Sequence, residues 1–201
     1  GVNYNKFTPV SIQKKVEKRT RLSLTDSDRV LIYVGELSKR KNQMVLIESM
    51  ADVLKKHPNT YLLLVGRGAL KAEYKEKISN LRLSEHVRLL GYRDDIAELM
   101  QISDIALSSS LQEGLPVNLM EAMGTGLPLI VSNCRGNCDL VENLVNGVIV
   151  SENTKEDWTK AICELLDAPQ RLERYGQSSL EKSTMYSEET VMKEMHEIYN
   201  K

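Results

Sequence analysis

The chain has 201 residues, 41% of them hydrophobic and 27% charged, and its 27 Lys and Arg against 28 Asp and Glu leave a formal net charge of −1. This length suits one globular domain or two very small ones, and the composition excludes an intrinsically disordered chain. The balanced charge removes the usual electrostatic reason to expect non-specific binding of nucleic acid, so no nucleic-acid partner is predicted.

Targeting signals and metal motifs are not found in the sequence. No apolar run approaches the ~20 residues that a membrane helix requires, and residues 1–10 lack the basic start and apolar core of a secretory signal. Cys134, Cys138 and Cys163 form an odd set without metal-ligand spacing, which favours buried thiols in a reducing compartment over zinc or a disulfide. We therefore expect a cytoplasmic protein without a metal site.

Apolar runs rich in β-branched residues alternate along the chain with segments of helical periodicity, which indicates βαβ units around a parallel sheet. Near-continuous apolarity predicts strands that are covered on both faces. The predicted strands are 29–35, 60–66, 87–91, 104–109, 127–132 and 147–151.

The first predicted helix carries an apolar stripe that includes Met44, Ile47 and Met50, and it ends near His57. Further predicted helices cover 69–81, 95–101, 116–123, 137–143, 155–167, 169–183 and 187–200. The expected fold is therefore α/β: a Rossmann-like doubly wound parallel sheet of about six strands, with helices on both faces and a helical C-terminal tail.

Glycines end three of the predicted strands. In open α/β sheets, ligands bind in the crevice beyond the carboxyl ends of the strands, so these loops are candidates for function. Gly35, Gly66 and Gly91 are the closing residues, and Gly66-Arg67-Gly68 would let backbone approach a ligand closely with a cation alongside.

The stretch 111–128 is the most informative. Pro116 is predicted at the first helical position, and the helix start that follows is a ready site for a phosphate or diphosphate. Glu113 lies just before this start and Glu121 eight residues later, where its side chain can lean back toward the same crevice. One carboxylate can accept two hydrogen bonds from the vicinal hydroxyls of a ribose, although a solvated surface glutamate is the plain alternative for Glu121.

The pattern E-x7-E from Glu113 to Glu121, followed by Ala-Met-Gly-Thr-Gly-Leu-Pro, resembles that of the retaining glycosyltransferases of the GT-B fold, family four. The similarity extends over nearly the whole chain and is to the C-terminal, nucleotide-sugar-binding domain of that family. It implies an interdomain linker and entering segment over 1–28, and the Rossmann-like donor domain with its C-terminal helices over 29–201. The N-terminal acceptor domain would then be missing.

The resemblance also implies roles for the residues of the 111–128 stretch. Glu113 would meet the hydroxyls of the donor sugar and Glu121 the ribose, while the backbone of Gly114, Leu115 and Pro116 would lie against sugar and diphosphate.

Two other loops match the family's donor site. Lys41 corresponds to the diphosphate-binding lysine, but Glu36 stands where the family usually has arginine. One cation to the diphosphate is therefore either missing or supplied by Arg40, Lys39 or Arg67. Tyr92, in Gly91-Tyr92-Arg93, matches the loop that holds the nucleobase and could stack on it, with an exposed turn as the alternative.

The implied activity is transfer of a sugar from a nucleoside-diphosphate sugar to an acceptor with retention of configuration, in polysaccharide or glycolipid synthesis. Lys41 would stabilise the departing diphosphate and Glu113 would orient the sugar; these are the two predicted catalytic residues. No metal and no cofactor beyond the co-substrate is expected. The missing domain would bind the acceptor and could bring the protein to the inner face of the membrane, so this chain alone is expected to bind donor without turnover.

Several alternatives remain open on sequence grounds. A nucleotide-sugar epimerase of the GT-B group and a non-catalytic α/β interaction module both fit the predicted fold. A nicotinamide oxidoreductase is disfavoured because Gly35 is followed by Glu-Leu-Ser-Lys-Arg-Lys and not by a G-x-G-x-x-G fingerprint. The base of the donor could be uracil, guanine or adenine, and no residue identifies the sugar, the acceptor or the oligomeric state.

Overall fold

A computed structural model describes residues 1–199, without the side chains at positions 194, 195 and 197–199. Six strands form one parallel sheet in the order β3-β2-β1-β4-β5-β6. The strands are β1 (Arg29–Val34), β2 (Thr60–Val65), β3 (Val87–Gly91), β4 (Ile105–Ser108), β5 (Leu129–Ser132) and β6 (Gly147–Val150). The predicted parallel sheet of six strands is therefore confirmed.

One helix precedes β1, and further helices follow each strand. They are α1 (Ile12–Thr20), α2 (Gln43–Lys56), α3 (Lys71–Asn80), α4 (Ile96–Ile102), α5 (Val117–Gly124), α6 (Arg135–Leu140), α7 (Lys155–Leu166), α8 (Pro169–Ser183) and α9 (Glu188–Tyr199), with a short 3-10 helix at Thr184–Tyr186. The eight predicted helices are confirmed in kind. The prediction 137–143 was two residues late at its start, and position 200 of the last predicted helix lies outside the described residues.

Successive residues of each strand point to opposite faces of the sheet, and both faces are buried. In β1, Leu31 and Tyr33 join a core that includes α2, α3 and α7, whereas Val30 and Ile32 join a second core that includes α4 and α5. The near-continuous apolarity of the strands is the consequence of this double cover. The doubly wound Rossmann-like fold is thus confirmed.

The strand order reverses between β1 and β4. The chain leaves β1 toward α2 on one face of the sheet and leaves β4 toward α5 on the other face. The loops 35–42 and 109–116, which lead to these helices, meet at the carboxyl ends of the two strands, and the surface at their meeting point is the crevice of this sheet. Such a switch point is the usual ligand site of an open α/β sheet.

The first helix was not predicted from sequence, and residues 1–28 were expected to be a linker. Helix α1 has few apolar residues, so it lacks the periodic stripe that reveals an amphipathic helix. The Ser11 side chain caps it by accepting from the Lys14 amide, and Lys15 Nζ lies 2.8 Å from Asp104 Oδ1. Polar contacts, which leave no periodic pattern in sequence, thus hold this helix against the domain.

Arg19 is the centre of that attachment, since its side chain is only 2% exposed. The guanidinium donates to the Ile102 carbonyl at 2.8 and 2.9 Å and to the Asp28 carbonyl at 3.1 Å, and it pairs with Asp104 at 2.7 Å. Asp104 Oδ2 also accepts from the Val30 amide at 2.8 Å. One buried cation therefore joins α1 to the amino ends of β1 and β4.

Within the described residues, no helix combines the length and the apolar composition that a membrane span requires.

We expect Arg19→Ala to lower the free energy of unfolding by about 3–5 kcal/mol, because it leaves buried carbonyls and part of a buried carboxylate without partners. Chemical denaturation at neutral pH measures this. Arg21→Ala is the matched control: Arg21 is exposed and, among the side chains that the structure describes, pairs with Glu17 one turn away, so its loss should cost less than about 1 kcal/mol. Equal effects of the two substitutions would show that Arg19 does not anchor α1.

Candidate active site

Two predicted site residues, 72 positions apart in sequence, meet at the crevice between β1 and β4. Lys41 Nζ donates a hydrogen bond to Glu113 Oε1, and both side chains are largely buried, 12% and 7% exposed. Arg40 Nη1 lies 3.6 Å from Glu113 Oε2 and donates to the Gln112 carbonyl. The loops after β1 and β4 thus bring a carboxylate and two cations together.

Hydrogen bonds from the loop after β4 hold the backbone around Lys41. Ser109 Oγ lies 3.0 Å from both the Lys41 and the Asn42 carbonyl oxygens, and the Leu111 amide donates to the Arg40 carbonyl at 2.8 Å. Asn42 has a φ of 51°, a left-handed conformation that asparagine tolerates better than most residues. The turn before α2 is therefore fixed at the position from which Lys41 enters the crevice.

Sequence reasoning missed the residues beneath Glu113. Ser110 Oγ donates to Glu113 Oε1 at 2.6 Å and lies 2.8 Å from the Tyr33 hydroxyl, which is buried in the core. Ser132 Oγ in turn donates to the Ser110 carbonyl. Three consecutive serines at the end of an apolar strand were the available signal, because polar side chains at a buried strand end need partners.

The start of α5 differs from the prediction by one residue. Pro116, with φ −75° and ψ 97°, is the extended N-cap and not the first helical residue, because the Leu119 and Met120 amides already donate to its carbonyl. The helix begins at Val117, and its first two amides have no acceptor within the helix. Asn118 Nδ2 donates to the Val34 carbonyl at 2.8 Å and so joins α5 to the carboxyl end of β1.

A cleft of about 520 Å³ opens beside Glu113. One wall is the β4 loop, where Gly114 is exposed, and the other is the start of α6. The two walls touch at Gly136, where an added Cβ would lie 2.0 Å from the Gly114 carbonyl oxygen. Arg135 also lines this cleft and is a further cation, one that was not predicted from the sequence.

The loops that follow β2 and β3 bring Arg67 and Tyr92 together. The Arg67 guanidinium lies 5.2 Å from the centre of the Tyr92 ring, in a cation–π contact, and Tyr92 is 69% exposed. The Arg67 carbonyl accepts from the Leu37 amide at 2.9 Å, which places this pair next to the β1 loop. Gly66, with φ +145°, makes the approach possible, since a Cβ there would lie 2.0 Å from the Gly35 carbonyl oxygen.

Glu36, at the position where the family usually has arginine, is exposed. Its backbone carbonyl accepts a hydrogen bond from Gln43 Nε2 at 2.8 Å. Of the three residues considered as substitutes for that arginine, Arg40 contacts Glu113 directly and Arg67 contacts Tyr92, while Lys39 is exposed. Among the described residues, no group of three or more His, Cys, Asp or Glu side chains is placed to hold a metal ion.

Glu121 lies one turn after Asn118 on α5 and is half-buried. Burial raises the pKa of its carboxyl group above the ordinary value, and the positive charge of Lys6 partly opposes this change. The segment containing Lys6 packs on α5, where Tyr4 lies against Gly124 and donates to the Met120 carbonyl. Glu121 is therefore a partly desolvated acid, unlike the solvated surface glutamate that was the alternative.

We expect Glu121→Gln to raise the free energy of unfolding at pH 7 by on the order of 0.5–1 kcal/mol, because it removes a desolvated charge. Below pH 4.5, the ordinary value, Glu121 is protonated in both the folded and the unfolded chain, so the gain vanishes. The gain appears as the pH rises through 4.5 and is complete above the raised pKa of the native state. Denaturation curves from pH 3.5 to 8 measure it.

Glu76→Gln is the matched control, because Glu76 is exposed on α3. A gain for Glu121→Gln that is the same at every pH, or a loss at pH 7, would contradict the effect of burial on Glu121.

Comparison with known proteins places these features in a family. The family described as glycosyl transferases group 1 matches residues 14–182. The Bacillus subtilis (strain 168) protein EpsD, named as a candidate glycosyltransferase, is 32% identical over 200 residues, covering 100% of this chain and 52% of EpsD. The UDP-Gal:alpha-D-GlcNAc-diphosphoundecaprenol alpha-1,3-galactosyltransferase of Escherichia coli is 33% identical over 170 residues, covering 83% of this chain and 44% of that protein.

Solved structures show the same fold at lower identity. Anabaena Alr3699/HepE, in complex with UDP and glucose, has a TM-score of 0.91 and 24% identity, covering 100% of this chain and 55% of its own. The C-terminal domain of the group 1 glycosyl transferase LpcC from Francisella tularensis has a TM-score of 0.83 and 19% identity, with 94% and 100% coverage.

The chain spans about half the length of the curated relatives it matches. Its described fold corresponds to the whole of an isolated C-terminal domain of such a protein. With the family model matching most of its length, the chain belongs to the glycosyl transferases group 1 family.

Proposed function

We propose that this chain is the donor-binding half of a glycosyltransferase that moves a sugar from a nucleoside diphosphate to an acceptor with retention and without a metal ion. The observation that carries the proposal is the meeting of Lys41 and Glu113 at the topological switch point. A cation suited to diphosphate and a carboxylate suited to sugar hydroxyls lie in contact in the crevice where this fold binds ligands.

Charge explains how the site would assist the reaction. When the bond between sugar and diphosphate breaks, negative charge grows on the departing phosphate oxygens. Lys41, with Arg40 beside it and the free amides at the start of α5, would stabilise that charge electrostatically. In the proposed mechanism the acceptor attacks the face from which the diphosphate departs, and Glu113 orients the sugar without forming a covalent intermediate.

A UDP-sugar is the proposed donor. The relative from Escherichia coli is named for UDP-Gal, and HepE was solved with UDP and with UDP-glucose. In this chain, the exposed Tyr92 ring with Arg67 beside it offers a flat surface for a base, and Glu121 offers a carboxylate for the ribose. The backbone of Gly114, Leu115 and Pro116 would lie along the sugar and diphosphate.

The length of the relatives, about twice that of this chain, supports a second domain as a further partner. An N-terminal domain of the same protein would bind the acceptor, in polysaccharide or glycolipid synthesis at the cytoplasmic face of the membrane. Because that domain would supply the acceptor groups, the chain alone should bind donor and show no transfer.

We expect thermal-shift measurements on the 201-residue chain to show stabilisation by UDP or a UDP-sugar, and less by GDP, ADP and their sugar conjugates. A ligand at a hundredfold excess over its dissociation constant adds ~2.7 kcal/mol of apparent stability. Lys41→Ala should weaken nucleotide binding by at least about tenfold, since one charge-assisted contact to phosphate is lost. Glu121→Ala should also weaken it.

Lys75→Ala and Glu76→Ala are matched controls, because both residues are exposed on α3. Stabilisation by no nucleotide at millimolar concentration, or stabilisation unaffected by Lys41→Ala, would contradict the proposal and favour a non-catalytic interaction module. Measurable sugar transfer by the chain alone would contradict the need for a second domain. Conversion of a UDP-sugar into its epimer by the longer protein would favour the epimerase.

A further inference from the structure

Beneath the crevice, a buried tyrosine lies at the point where the two site loops meet. Tyr33 is on β1, 1% exposed, in the core that α2 covers. Its hydroxyl is 2.8 Å from Ser110 Oγ in the β4 loop and 3.4 Å from the Lys41 carbonyl in the β1 loop. A single hydroxyl thus contacts the supports of both Lys41 and Glu113.

The direction of the hydrogen bonds follows from the chemistry of the groups. A carboxylate only accepts, so Ser110 must spend its one hydroxyl proton on Glu113, 2.6 Å away. Ser110 Oγ is left as an acceptor, and the proton of its contact with Tyr33 must come from tyrosine. Burial raises the pKa of Tyr33, which keeps its hydroxyl protonated and able to donate.

We propose that Tyr33 is a positioning residue: it donates to Ser110, Ser110 donates to Glu113, and this chain of two hydrogen bonds fixes the orientation of the Glu113 carboxylate in the crevice. Without the Tyr33 hydroxyl, Ser110 Oγ loses its donor, so the Ser110 side chain is no longer fixed from the core and the Glu113 carboxylate can turn together with it. The consequence for binding rests on the proposed function. An oriented Glu113 recognises the sugar, so loss of Tyr33 should lower the preference for UDP-glucose over UDP.

The first experiment measures dissociation constants of UDP and UDP-glucose for the 201-residue chain by calorimetry. Tyr33→Phe keeps the buried ring and removes only the hydroxyl. We expect the preference for UDP-glucose over UDP to fall by about three- to tenfold, the effect of one lost hydrogen bond, while the affinity for UDP changes less than about twofold. Ser110→Ala should act in the same direction.

Two variants separate positioning from general destabilisation. Tyr74→Phe removes the hydroxyl of another fully buried tyrosine, whose hydrogen bond runs to Gln43 at 3.0 Å, and it should leave the preference unchanged. In a Glu113→Ala background, adding Tyr33→Phe should leave the preference where Glu113→Ala alone puts it, because the proposed route runs through Glu113. A further fall in that background, or equal weakening of UDP and UDP-glucose in Tyr33→Phe, would overturn the proposal.

A second measurement does not depend on nucleotide binding. The side-chain carboxyl carbon resonance of Glu113, assigned by its loss in Glu113→Ala, should move in Tyr33→Phe and in Ser110→Ala but not in Tyr74→Phe. An unmoved resonance in Tyr33→Phe overturns the positioning role, whatever the ligand results. If the wild-type chain binds no nucleotide while the resonance moves as expected, the proposed function fails and the positioning role stands.

Discussion

The pairing of β1 with β4 is the constraint on which the rest of the structure depends. These strands lie side by side in the centre of the sheet, yet the chain leaves them toward opposite faces. At their carboxyl ends, Lys41 and Glu113 pair across the resulting crevice, and at their amino ends Asp104 accepts from both Arg19 and the Val30 amide. Polar contacts at both ends therefore fix the relative position of the two strands that carry the candidate site.

Burial strengthens the ion pair at the crevice. Lys41 and Glu113 are largely withdrawn from water. Attraction between opposite charges is stronger in such a buried place than at the surface, but each group also loses its hydration. The hydrogen bond from Ser110 to Glu113, and the fixed backbone around Lys41, compensate part of that cost. A phosphate that entered the crevice would replace Glu113 as the anionic partner of Lys41. The ion pair therefore keeps Lys41 in position but does not prevent it from binding another anion.

Glu121 is a charged residue whose partial burial costs stability. Its carboxyl group is partly desolvated on α5, beside a segment from the far N-terminal end of the chain. A desolvated charge binds hydroxyl groups more strongly than a solvated one, which gives this cost a function if the site takes a ribose.

Local patterns in the sequence were enough to predict the fold, because strand apolarity, helical periodicity and turn glycines all act over a few residues. The spacing around the predicted helix start identified Glu113 and Glu121 as candidates, whereas Lys41 was a candidate only through the resemblance to a known family. Helix α1 was missed because its anchor, Arg19, bonds to groups up to 85 positions away, and Tyr33 looked like any apolar strand residue. Which side chains meet, how deeply Glu121 is buried, and what lies beneath Glu113 were decided by tertiary structure, since contacts between distant segments leave no periodic trace in a single sequence.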